Sequence, residues 1–158
     1  MIQRIQSVYL FIAVVALAAM FFFPLSVHSF RGLTIPFELL EKVSDTELAA
    51  SMMITIWPLI VGVLVLIALG LITLFSYRNR QLQMRLVMAS VLLNIVIIIA
   101  EFWMAKHLAS KLDPQAVDMV VEYSFGAYLP VVSLLFFILA HRGIKRDEQK
   151  VRAADRLR

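Results

Sequence analysis

The chain predicts an all-α integral membrane protein, a four-helix transmembrane bundle of up-down-up-down topology. Three observations predict it. Of 158 residues, 61% are hydrophobic and only 16% are charged, against about 45–50% and about 25% in a soluble domain. A chain this short cannot bury such an excess in one core. The apolar residues also fall in four blocks, each long enough to be read as a crossing of the bilayer. Finally, the cations are distributed unevenly among the segments that join those blocks.

The first block follows a polar start that carries Arg4, and its span is placed at about 5–25. A secretory leader would look similar. This apolar run is longer than a usual leader core, ends in Phe21-Phe22-Phe23-Pro24, and has no small-x-small site after it, so it is read as an uncleaved span. In the loop that follows, Phe30 to Pro36 reads as short and extended, broken by Gly32 and Pro36. Phe37 to Ala50 reads as a short amphipathic helix, with Phe37, Leu40, Val43 (or Ser44) and Leu48 towards one side and Glu38, Glu41, Asp45 and Glu47 elsewhere.

The second span is placed at 52–76, with a kink expected at Pro58. Its Gly62 and Gly70, eight residues apart, share a face that another helix can approach. A basic hairpin from Tyr77 to Arg85 joins it to the third span at 86–105, so the two are expected to be antiparallel neighbours. Asp113 followed by Pro114 reads as a helix start, an N-cap and a proline at the first helical position. That helix is expected to run into the fourth span at 123–141, with Gly126 and Pro130 bending the join. Residues 1–141 thus form the transmembrane domain. Residues 142–158 form a basic tail with seven cations and three acids, expected to be a helix leaving the membrane.

Orientation follows from the cations. Arg4, Arg78, Arg80, Arg85 and the seven of the tail fall on one side; Arg31, Lys42, Lys106 and Lys111 fall on the other. The cation-rich side is expected to be cytoplasmic, with both termini inside. Trp57, Trp103, Tyr123 and Tyr128 then fall near the outer interface, as an aromatic belt would.

The two ends of the chain carry its most specific polar patterns. They are Met1-Ile2-Gln3-Arg4-Ile5-Gln6-Ser7-Val8-Tyr9-Leu10, and Arg142-Gly143-Ile144-Lys145-Arg146-Asp147-Glu148 with Val151 to Arg158 after it. With these ends the chain resembles, over essentially its whole length, the family named domain of unknown function 4293. That resemblance implies a small four-span protein of the bacterial inner membrane. It implies no activity and no catalytic residue.

The candidate intramembrane site lies on the third span. Ser90, Asn94 and Glu101 are four and seven residues apart, which returns them to one helix face. Glu101 is the one charged side chain within any of the four apolar runs. An ionisable group inside a span is by default a functional candidate, here for a proton or cation relay or a polar ligand. The plainer reading is packing. Asn94 would bond a neighbouring helix at Ser133, while Glu101 would reach the outer boundary and pair with Lys106 or His107. His28, His107 and His141 show no metal-ligand spacing, so no metal site and no cofactor is expected. His141 is expected at the inner end of the fourth span, complementing the helix dipole.

The tail cations Arg142, Lys145, Arg146, Lys150, Arg152, Arg156 and Arg158 are candidates for a lipid or partner contact. The interleaved Asp147, Glu148 and Asp155 favour a defined protein contact or internal salt bridges. Aromatic side chains that could stack on bases are missing from the tail, so nucleic acid is not an expected partner. No phosphate-binding loop, HExxH or GxSxG motif occurs, and cysteine is absent, which excludes thiol chemistry and disulfides. The expected function is a non-enzymatic accessory or assembly subunit, whose partners are the lipid bilayer and a membrane protein or second copy. The alternative is a small transporter, or a proton- or ion-coupled protein, that uses the polar face of the third span.

Overall fold

The computed structural model describes residues 3–30, 33–39, 47–77, 79–112 and 120–155. Side chains are described over 5–27, 36–39, 56–77, 79–107 and 122–149. Among the described residues there are four helices: α1 (Gln3–Ala19), α2 (Glu47–Phe75), α3 (Arg80–Leu112) and α4 (Phe125–Asp155). Each packs on its neighbour in sequence, and α1 closes the ring against α4.

By length and composition, three stretches can cross a membrane: Ile56–Phe75, Arg80–His107 and Phe125–Gln149. The apolar part of α1, Ile5–Ala19, is shorter. Both surfaces of these helices are apolar. Leu66, Val87, Ile97 and Phe137 are buried inside, yet Leu92, Val96, Ile99 and Trp103 stand outward at about 60% exposure. A continuous outward apolar face of this kind is foreign to a water-soluble monomer.

The helix ends have local causes. Asn79 caps α3: its side-chain oxygen accepts from the Leu82 amide at 3.1 Å, and its carbonyl accepts from the Gln83 amide at 2.9 Å. The basic hairpin expected from Tyr77 to Arg85 is corrected: α3 already begins at Arg80, because the Asn79 cap starts the helix there, and α2, which ends at Phe75, packs against it. Pro58 and Pro130 both lie inside continuous helices, while α1 ends before Pro24. Gly70 lies where α1 and α4 meet α2: a Cβ there would stand 2.6 Å from Val14 Cγ2 and 3.5 Å from the Phe137 ring. Gly62 faces Ile97 of α3 instead. The two glycines therefore admit different neighbours.

One element was not anticipated. A three-stranded antiparallel sheet, in the order β2-β1-β3, joins β1 (Ser26–Phe30), β2 (Leu33–Phe37) and β3 (Val120–Tyr123). The extended reading of Phe30 to Pro36 is the part of it that could be read locally. The expected amphipathic helix over Phe37 to Ala50 is corrected: Phe37 closes β2, opposite Ser26, and Glu47 already begins α2. Residues 40–46 lie outside the described residues. The reason is cross-strand pairing, which gives the Phe37 carbonyl the Leu25 amide at 2.8 Å and leaves the Phe37 side chain buried. The helix start expected at Asp113 and Pro114 also lies outside the described residues. What directly precedes the fourth helix is β3, so the expected continuous entry into a span at Tyr123 is replaced by a strand, with α4 beginning at Phe125.

Candidate functional site

The polar candidates of the third span lie on the buried edge of α3. Gln83, Val87, Ser90, Asn94, Ile97, Glu101 and Met104 are all buried. Their spacing of three and four residues keeps them on one stripe. The amide side chain of Gln83 was missed by sequence reasoning, although it continues the stripe seven residues before Ser90. Its Nε2 donates to the Thr73 carbonyl at 3.3 Å, tying α3 to α2. Thr73 in turn donates its hydroxyl to the Leu69 carbonyl at 2.7 Å.

Along the stripe, the three expected residues separate. Ser90 Oγ donates to the Leu86 carbonyl of its own helix at 2.9 Å and so is satisfied locally. Asn94 reaches across to α4. Its Nδ2 donates to Ser133 Oγ at 2.6 Å and to the Pro130 carbonyl at 3.2 Å. Ser133 Oγ donates to the same Pro130 carbonyl at 3.0 Å. The Asn94 Oδ1 is buried without a hydrogen-bond partner among the described residues.

Glu101 is different. It is 1% exposed, and neither carboxyl oxygen has a partner among the described residues. This overturns the expectation that it reaches the boundary and pairs with Lys106 or His107. The helix does not end near Trp103; it continues to Leu112. Five and six residues along an α-helix place Lys106 and His107 about 140° and about 120° away from Glu101 around the axis. Lys106 is exposed, and the His107 ring stacks on Trp103, centroids 5.0 Å apart and planes 7° apart. Beside the site, Phe102 meets Tyr123 of β3 edge to face at 4.8 Å. Among the described residues no three His, Asp or Glu side chains gather into a metal-binding group; the side chain of His28 lies outside them.

The tail candidates continue α4 without a break to Asp155. His141 is therefore mid-helix, and its expected role at a helix C-terminus is corrected. Its Nδ1 is buried without a partner among the described residues. Arg142, Lys145 and Arg146 are exposed. Lys150 and Arg152 lie on the described helix, but their side chains, together with Arg156 and Arg158, lie outside the described set.

The acids have a use here. Gln6 of α1 is buried, and its Nε2 donates to the Asp147 carboxylate in a short hydrogen bond. Gly143 makes room for that side chain: a Cβ there would stand 2.9 Å from Gln6 Cγ. Gln6 had no sequence signal beyond lying in a specific N-terminal pattern. Its partner is 141 residues away.

No curated protein and no solved structure matches the chain. A family model matches residues 2–157, nearly the full length and both patterned ends, and the chain therefore belongs to the family described as a domain of unknown function, DUF4293.

Proposed function

We propose that this chain is a multi-pass protein of the bacterial inner membrane that crosses four times, keeps both termini in the cytoplasm, and acts as a non-enzymatic accessory or assembly subunit. The fourth crossing is α1. Its 17 residues and the tighter turns at Met20 to Phe22 together span about 30 Å, the thickness of a hydrocarbon core. The cytoplasmic side is the end that carries both termini and the 76–79 turn, because eleven of fifteen Lys and Arg belong to it.

The observation that carries the accessory role is the use of the interior polar groups. Gln83 binds α2, Asn94 binds α4 through Ser133, and Ser90 and Thr73 bind their own helices. These bonds act as interhelical and local glue. The outward faces, with Trp57, Leu64, Leu92 and Ile99 exposed, are left for lipid or for another membrane protein.

Native electrophoresis of the full chain, tagged in its own membrane and extracted in mild detergent, tests this. A discrete complex well above the 18.0 kDa chain is expected, and a monomer under all gentle conditions would sink the reading. Topology is checked separately. The chain has no cysteine, so a single cysteine at Gln81 should react only from the cytoplasmic side.

A second reading is favoured by one observation, the buried Glu101 without a partner. Such a group suits a proton- or ion-coupled protein. Under that reading Glu101→Gln abolishes ion flux in proteoliposomes while insertion stays normal. Under the accessory reading the chain carries no flux to lose.

A further inference from the structure

At the terminal end of the bundle, α1 and α4 enclose a groove of about 580 Å³. Its lining changes character along α4. Tyr9 and Leu139 form an apolar lower wall, Arg142, Lys145 and Arg146 stand one to two turns further along α4, and Ile5, next to Gln6, lies level with the cations. Offsets of three and four residues bring the three cations to one face. The floor is closed by Asp147, which is held by Gln6. Three cations and one acid leave the groove with a net charge of two positives. Its size falls within the range of small-molecule sites, about 300–1,000 Å³.

The geometry points to a binding site for one anionic glycerophospholipid of the cytoplasmic leaflet, with its phosphate on Arg142, Lys145 and Arg146 and its first acyl carbons against Tyr9 and Leu139. Two features select a lipid over a soluble anion or an acidic peptide. The cations lie directly above apolar side chains, matching the step from headgroup to acyl chain. The apolar part of the wall also opens to the outside of the bundle, where Leu139 is 41% exposed. A phosphate alone would have no use for that wall. Asp147 does not oppose the site, because its carboxylate is directed to the Gln6 amide and can accept from a headgroup hydroxyl. The site requires α4 to cross the bilayer, but it requires neither a partner protein nor the accessory role.

The test is lipid retention by the detergent-purified full chain, measured by native mass spectrometry with added phosphatidylglycerol or phosphatidylcholine. At about fivefold for each of the two net positive charges, phosphatidylglycerol should be held roughly twenty-five-fold more tightly than phosphatidylcholine. The variant Arg142→Gln/Lys145→Gln/Arg146→Gln leaves Asp147 alone in the groove and should hold phosphatidylglycerol no more tightly than phosphatidylcholine. If that variant is lost from the membrane, the exposed Lys145→Gln alone should weaken phosphatidylglycerol about fivefold. Arg85→Gln, on α3 and outside the groove, should change nothing. Equal retention of the two lipids, or anionic retention that survives loss of the cations, would overturn the proposal. So would displacement of the lipid by millimolar inorganic phosphate, which would show a bare anion site. An acidic protein segment found in the groove in place of lipid would overturn it as well.

Discussion

The sheet end and the middle of the bundle are held by different bonds. At the sheet end the ties are backbone to backbone. The Ser124 amide donates to the Leu25 carbonyl at 3.0 Å, and the Gly126 amide donates to the Pro24 carbonyl at 3.1 Å. These bonds lock the start of α4 to the lead-in of β1. In the middle the ties are side chains, above all Asn94 with Ser133. Glu101 lies between the two regimes and shares in neither. A polar side chain in an apolar interior costs free energy unless a neighbour bonds to it. Asn94 has that neighbour on α4, and Glu101, two turns along the same stripe, has none among the described residues. Position on the stripe therefore does not decide whether a polar residue is glue; the facing helix does.

The comparison can be broken first at the sheet end. Gly126 lies so close to the Phe23 and Pro24 carbonyls that a Cβ would collide with the latter and stand 2.8 Å from the former. These are backbone atoms with little freedom to yield. Gly126→Leu should cost about 3 kcal/mol or more, read as loss of monodisperse protein and early proteolysis after Tyr123. Native yield from this variant would show that the end is not locked by its backbone.

Next in size is Glu101→Leu. If the carboxyl is only a burden on folding, its removal should stabilise the chain by about 2 kcal/mol, seen as a higher midpoint in denaturing-detergent titration. Destabilisation would show that Glu101 has a bonding partner in the membrane and belongs with Asn94 after all.

Asn94→Leu should act in the opposite direction and more weakly. It removes a bond worth about 0.6–1.7 kcal/mol without orphaning Ser133, whose hydroxyl keeps the Pro130 carbonyl. A double-mutant cycle with Ser133→Ala should recover most of that value as coupling. A coupling near zero would mean that the cross-helix bond contributes nothing. Smallest of all is Ser90→Ala. Among the described residues its hydroxyl donates to the Leu86 carbonyl of its own helix, so a change below about 0.5 kcal/mol is expected, and a larger one would reveal a contact of Ser90 beyond α3.

Much of the site was legible before the fold. Ser90, Asn94 and Glu101 were placed on one face by spacing alone, and one face is where they lie. Even the Asn94–Ser133 pairing could be put forward, because two small polar residues at matching depths on adjacent helices have few other partners. The environment of Glu101 was misjudged, since the apolar run ends near Trp103 while the helix does not. Hydropathy marks where lipid contact ends, not where backbone hydrogen bonds end. The same gap hid His141, which lies at the end of the apolar run and yet in the middle of α4.

The sequence by itself determined the four apolar blocks, the helical character of each, a short basic connection between the second and third blocks, and the polar edge of α3. All of these depend on composition and periodicity within a short window. Only the tertiary structure decided the rest. Residues Ser26–Ser29 pair with Val120–Tyr123, although more than ninety residues separate them, and Gln6 finds Asp147 across nearly the whole chain. It also decided that Glu101 faces inward, where its carboxyl oxygens have no hydrogen-bond partner among the described residues. Such pairings depend on which surfaces meet, and neither propensity nor hydropathy records how one segment is rotated against another.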